Sequence, residues 1–431
     1  MTLVETAPAL WRSEKIVSVS DHSQHPHKAN PAADGFVAPP MVKQIGFRPD
    51  ALAACIARTV TLRGAPDPML LQMAKSAMAE VEYLISDGSV FEVSPFITAL
   101  ADAERAGFAG RVGGGVTDLL MNSLGYIWRD NAECLSKPLE PHADFIYGGG
   151  SVAQHGVVLT EAHGSFAQSV DKARISGEAR RKYLRQVKPF IATHCAYGDV
   201  IHGYSVAFGS NPSSLDTYLH VAETRISKSR RRPSPRAAEQ EPGEGGSVPT
   251  SLALASHRSN FLLMGATQVV AWIDWFRGAG DRPADDSETT FFSIEISGRR
   301  YLAAMEYFLP YFRSGLWLDE FEFPHILWDE LDRLRHRARR GLTNVFAMDD
   351  SAAKAFLRTL SGMMGGGRDQ VPAALDLPSV EPLGLSFGVD RGFRDEDDAY
   401  PVARFRDGLA LISRLPRGPL FPLHWSPQSG I

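Results

Sequence analysis

PHADFIYGGGSVAQHGVVLTEAHGSFAQ, residues 141–168, decides the fold. Two short runs, Phe145–Tyr147 and Val157–Leu159, flank a loop containing Gly148, Gly149 and Gly150, so they read as strands joined across that loop. With the turn centred near Val152 and Ala153, Phe145 faces Thr160 and Asp144 faces Glu161, their side chains about 5 Å apart. The period of two along a strand puts Glu161 and His163 on one face and Ala162 on the other. Two carboxylates and an imidazole thus converge at one end of the hairpin. Adjacent carboxylates repel unless a cation holds them, and oxygen ligands of this kind suit Mg²⁺ (or Mn²⁺).

The flanking sequence extends the sheet. A helix is expected near 168–189 and strands near 199–208 and 214–223, from their apolar alternation and connection lengths. The helix carries Lys172, Arg174, Arg180, Arg181, Lys182, Arg185 and Lys188 against Asp171 and Glu178, a cationic element beside the acidic one. Upstream, Leu70, Met73, Ala77, Val81 and Leu84 mark one face of a helix over 67–85. Glu80 lies within that stripe and is a candidate extra metal ligand. The Gly-rich pieces at 110–115, 147–151 and 364–368 match neither a phosphate loop nor a dinucleotide fingerprint and read as turns.

This order resembles the metal-binding core of the restriction-endonuclease-like, or PD-(D/E)XK, nucleases: Asp144 opens one strand, Glu161-Ala162-His163 lies on the next, and a basic helix and two strands follow. The resemblance covers some 85 residues, and about 150 if the helix at 67–85 is the family's first. It implies an α/β fold with a mixed sheet flanked by helices, hydrolysis of DNA phosphodiesters, a Mg²⁺ or Mn²⁺ cofactor held by Asp144 and Glu161, to which Glu80 is the candidate addition, and catalytic roles for Asp144, Glu161, the triplet position His163, and Gln186 or Arg185 on the basic helix. The sequence departs from the pattern in two places. Pro141 precedes Asp144 by three residues rather than one, and His163 stands where the family carries lysine. Histidine is mostly neutral near pH 7 and acts there as a base or ligand, whereas lysine is a fixed cation. Lys172 and Lys182 are the candidates to supply that cation in space. A nuclease-fold protein that has lost hydrolysis and serves as a nucleic-acid or protein binding module is the alternative.

The remaining chain is read by composition. With 431 residues, 44% of them hydrophobic, it has room for two domains, and a formal charge of −5 leaves any nucleic-acid contact to local basic patches. Cys55, Cys134 and Cys195 are odd in number and include no C-x-x-C pair, which excludes a disulfide framework and a thiolate zinc site as expectations. No secretory or membrane-spanning pattern is seen, so the expectation is a cytoplasmic protein with no membrane partner. Residues 1–40, with His22, His25 and His27, read as a disordered arm; 41–225 as the nuclease-like domain; 226–250 as a flexible linker; and 251–431 as a mainly helical domain with an irregular tail, a surface for DNA or a protein partner. Within it, helices are expected through Leu262–Phe276, Arg299–Phe308, His325–Arg340 and 350–363. His194 and His202 lack ligand spacing and read as satisfied structural histidines. Limited trypsinolysis of the native protein is expected to cut first between Arg230 and Arg236; resistance of that segment would contradict the two-lobe organisation.

Overall fold

The computed structural model describes residues 13–135, 140–227, 247–304, 345–386, 402–412 and 421–431. In chain order the strands are β1 (Lys15–His27), β2 (Gln44–Phe47), β3 (Trp128–Asn131), β4 (Phe145–Gly148), β5 (Val157–Phe166), β6 (His194–Cys195), β7 (Gly198–Ser210), β8 (Thr217–Ile226), β9 (Ser247–Pro249), β10 (Thr289–Ile296), β11 (Arg299–Ala304), β12 (Val345–Asp349), β13 (Ala374–Asp376), β14 (Leu385–Ser386), β15 (Val402–Arg404), β16 (Leu409–Ile412) and β17 (Phe421–Trp425). The helices are α1 (Pro49–Val60), α2 (Asp67–Leu84), α3 (Asp102–Ser123), α4 (Lys172–Lys182), α5 (Thr250–Met264), α6 (Thr267–Arg277) and α7 (Asp350–Gly366).

The larger sheet runs β14-β2-β1-β8-β7-β5-β4-β3, with β6 pairing β7 at its rim. It is mixed: β5 lies antiparallel to β4 and parallel to β7, as a helical crossover between β5 and β7 requires. The expected strands and their pairing are present, and Phe145 faces Thr160. Helix α3 covers one face and α4 the other. The contact of α3 with β5 is backbone on backbone. A Cβ built on Gly164 would lie 1.7 Å from the Ala109 carbonyl oxygen, and one on Gly113 would lie 2.6 Å from the Gly164 nitrogen. The glycines at 110–115, expected as turns, are therefore helical. Each mid-helix glycine costs about 0.5–1 kcal/mol relative to alanine, and Gly113 and Gly115 offset this by letting β5 and α1 approach. The helix at 67–85 forms as expected but packs on α1, and α3 takes the place beside the sheet assigned to it.

Three further expectations are corrected. Residues 15–27, read as part of a disordered arm, form β1, parallel to β8. Only Lys15–Ser18 pair with β2 on the other side, so the polar half Asp21–His27, with Pro26, is an edge, where charge and proline are tolerated. Residues 299–304, read as helical, form β11, because Ser297 and Gly298 (φ +50° and +74°) make a two-residue hairpin turn that pairs Ile296 with Arg299. The single helix through Leu262–Phe276 is two, α5 and α6, parted where Gly265 takes a left-handed φ of +78°. The basic run 228–236 and the helix at 325–340 lie outside the described residues.

The C-terminal half contributes α5, α6 and α7 and also a second, antiparallel sheet, β15-β16-β12-β11-β10-β17, that the sequence reading did not anticipate. A buried ion network joins it to the first layer. Asp407, in the β15–β16 turn, accepts from Arg129 at 2.6 Å, Asn260 at 3.0 Å and Arg58 at 3.1 Å, and Arg58 also pairs with Asp118 at 3.5 Å. The two guanidiniums hold the Asp407 carboxyl down to about 2 against its burial. Removing one member would strand a buried charge, at a cost of about 3–5 kcal/mol. Among the described residues no helix is long and apolar enough to cross a membrane.

Gly164→Ala is expected to destabilise the fold by about 3 kcal/mol in urea unfolding, since backbone cannot yield to the added methyl. Gly110→Ala, on α3 with no atom within 4 Å of its Cβ, is expected to stabilise it by about 0.5–1 kcal/mol. Equal effects at the two positions would contradict the close α3–β5 contact.

Candidate functional site

Gly164 points at α3, so the alternation of β5 sends Glu161 and His163 to the opposite face, beneath α4. Glu161 sits directly inside the sheet, buried between β4 and β7. Its Oε1 accepts from Lys182 Nζ at 2.6 Å. Lys182 is the last residue of α4, and the chain continues through a π turn at Tyr183–Val187, a distortion frequent beside functional groups. Of the two lysines able to supply the missing cation, Lys182 is the one at Glu161; Lys172, at the other end of α4, acts on Asp21 and His220.

Asp144 immediately precedes β4, exposed at the rim, and its Oδ2 accepts from the Ala162 N–H at 2.8 Å, which fixes it against the Glu161 end of β5. Burial, then repulsion from Asp144, push the Glu161 carboxyl up to about 8, with Lys182 opposing them. The raised Glu161 carboxyl also hydrogen-bonds the Asp144 side chain, and the hydroxyl of Ser205, its cross-strand partner on β7, is buried without a hydrogen-bond partner among the described residues. His163, half-buried on the same face, is pushed down by burial while Glu178 on α4 opposes the shift. It is therefore neutral at pH 7, as a base or ligand must be.

The other expected residues fall elsewhere. Gln186 donates from Nε2 to the His142 carbonyl at 2.9 Å, steadying the segment that enters β4 rather than reaching the carboxylates. Glu80 is on α2, beyond α3 from this face, and is ion-paired with Arg111, so it is no third ligand here. Among the described residues no group of three or more His, Cys, Asp or Glu side chains is arranged to hold a metal ion. The oxygen set at this site is the pair Asp144 and Glu161, which matches the habit of Mg²⁺ of taking one or two carboxylates and keeping its waters.

Of the histidines read as structural, His202 is buried against Glu223 at 3.1 Å and His194 is exposed against Asp199 at 2.9 Å. His22, expected on a free arm, closes the first of these clusters at 2.5 Å from Glu223. No local spacing signals it, because its partner lies on β8, 201 residues away. Protein-family models, curated proteins and solved structures all return no match to this chain.

Because the Glu161 carboxyl is raised, its contribution to stability is fully present below the ordinary Glu value of 4.5 and is lost as pH rises towards about 8. Unfolding free energies of wild type and Glu161→Gln, measured from pH 4 to 9 without divalent metal, are expected to diverge across that window, the wild type losing stability relative to the variant. Parallel profiles would mean that Glu161 ionises normally.

Proposed function

We propose that this protein is a metal-dependent nuclease of the restriction-endonuclease-like kind, hydrolysing DNA phosphodiesters at the Asp144–Glu161 end of the β4–β5 pair. The observation that carries the reading is Lys182 Nζ at 2.6 Å from Glu161 Oε1, which restores from α4 the ammonium that His163 removes from the strand triplet. The order α3-β3-β4-β5-α4-β6-β7, with β5 parallel to β7 and a helix on each face, supports the same assignment.

Asp144 and Glu161 would hold one Mg²⁺ or Mn²⁺, which when bound supplies charge neutralisation and a more acidic water. Glu161 gives up its proton to bind, and Lys182 then faces two carboxylates and whatever anion enters. Its ammonium is placed to stabilise negative charge developing on a phosphoryl oxygen. His163, neutral and two residues along the strand, is within the same face to accept a proton from an attacking water. The exposed cations of α4, Arg174, Arg180 and Arg181 among them, offer the phosphate contacts that the chain's overall negative charge does not. The second reading, a binding module without hydrolysis, is favoured by one feature: Lys182 already bonds to Glu161 Oε1, an oxygen that a metal would need.

With Mg²⁺ or Mn²⁺ the purified protein is expected to cleave DNA, and Asp144→Ala, Glu161→Ala and Lys182→Met each to lower the rate by on the order of 10²–10³-fold while circular dichroism stays unchanged. Lys172→Met, remote from the carboxylates, is expected to leave the rate within about twofold of wild type. If His163 is the base, His163→Ala is inactive and the wild-type rate rises with pH through a value below the usual imidazole one. No metal-dependent cleavage of single-stranded, duplex or supercoiled DNA would remove the enzyme reading and leave the binding module.

A further inference from the structure

The fold brings together two cysteines that are 61 positions apart in sequence and belong to different parts of the sheet. Cys134 is exposed, in a short turn (Glu133–Leu135) after β3; Cys195 ends β6. The two segments are clamped beside each other by the Tyr197 hydroxyl, which donates to Asp130 Oδ2 at 2.5 Å. Asp130 lies on β3 four residues before Cys134, and Tyr197 lies two residues after Cys195, so the clamp holds the two cysteine-bearing segments side by side. The tight β6–β7 turn, with Cys195 paired to Gly198 and its Sγ 3.3 Å from the Gly198 carbonyl, leaves Cys195 little freedom to turn away. Each thiol is the group that acts most strongly on the other. Cys55, by contrast, is fully buried against α3 and the Arg58–Asp118 pair, out of reach of both.

We infer that Cys134 and Cys195 form a redox-active dithiol that closes to an intramolecular disulfide when the protein meets a small peroxide. Cys195, buried beside the exposed Cys134, is the attacking thiol: hydrogen bonding with Cys134 and with the Tyr197 backbone lowers it against its burial, whereas Cys134 is pushed up. The Cys195 thiolate attacks one peroxide oxygen, the O–O bond breaks, and Cys195 becomes a sulfenic acid as hydroxide leaves and takes up a proton as water. The Cys134 thiol then attacks the Cys195 sulfur, forming the S–S bond and releasing the sulfenic oxygen as a second water with the Cys134 proton. Two thiols lose two electrons in all, and hydrogen peroxide takes them. The disulfide would tie the β3–β4 connection, whose Ala132 N–H donates to the Asp144 carbonyl at 3.1 Å, to the β6–β7 turn.

The test treats the reduced full-length protein with hydrogen peroxide, blocks remaining thiols after denaturation, and maps the digest by mass spectrometry. The expected result is loss of two of the three thiols, a Cys134–Cys195 cross-linked peptide, free Cys55, and full reversal by dithiothreitol. Cys134→Ser is expected to leave a sulfenic acid on Cys195 that dimedone traps, and Cys195→Ser to slow thiol loss at least about tenfold. Three thiols surviving, disulfides only between molecules, or over-oxidation of Cys134 alone would each overturn the inference. The wild-type map decides it even if a variant fails to fold.

Discussion

Everything at the candidate site depends on how closely α3 lies on β5. With the Ala109 carbonyl where a Gly164 side chain would be, and Gly113 against the Gly164 backbone, the strand has one admissible face towards α3. Its other face, with Glu161 and His163, is thereby committed to α4. A slip of one residue in β5 would carry the carboxylate into the α3 interface and an alanine to Lys182. The same strand is fixed laterally by antiparallel pairing with β4, which sets Asp144 against Glu161, and by parallel pairing with β7, which sets Ser205 beside it. Helix contact and strand register together leave the three groups no other arrangement.

Two buried carboxylates show how differently the chain treats charge. Asp407 is given two arginines and an asparagine, and its carboxyl is held at about 2; it joins the first layer to the second sheet and stays ionised. Glu161 is given one lysine at the protein's edge and a like charge across the ladder, and its carboxyl stands near 8. Asp407 is satisfied by its cations, whereas Glu161, raised by burial and by the like charge of Asp144, is the kind of perturbed group that functional sites favour.

The β4–β5 pairing and the Asp144–Glu161 juxtaposition were legible because strand periodicity and turn position determine register without knowledge of the rest of the chain. Lys182 was legible only as one of two candidates, since choosing it required the path of α4 across the sheet. Helix α3 was hidden by its own glycines: a run that signals turns in isolation is here the surface that lets a helix approach a strand. The outer half of β1 was hidden because an edge strand held by backbone bonds need not carry an apolar pattern, and the His22–Glu223–His202 cluster disappeared with it. β11 was misread because Tyr301 recurs at helical spacing, although Ser297-Gly298 carried the stronger hairpin signal. The Cys134–Cys195 approach depends on β6 folding back on β7, which no spacing of cysteines encodes.

The central claim, that Asp144 and Glu161 form one divalent-metal site closed by Lys182, is tested most directly by calorimetric titration of Mn²⁺ at pH 7 in two buffers of different ionisation enthalpy. With Glu161 protonated before binding, the account predicts a single site whose filling releases about one proton, with Asp144→Ala and Glu161→Gln each abolishing the binding. Absence of Mn²⁺ binding to the wild type, or binding that survives both substitutions, would contradict it.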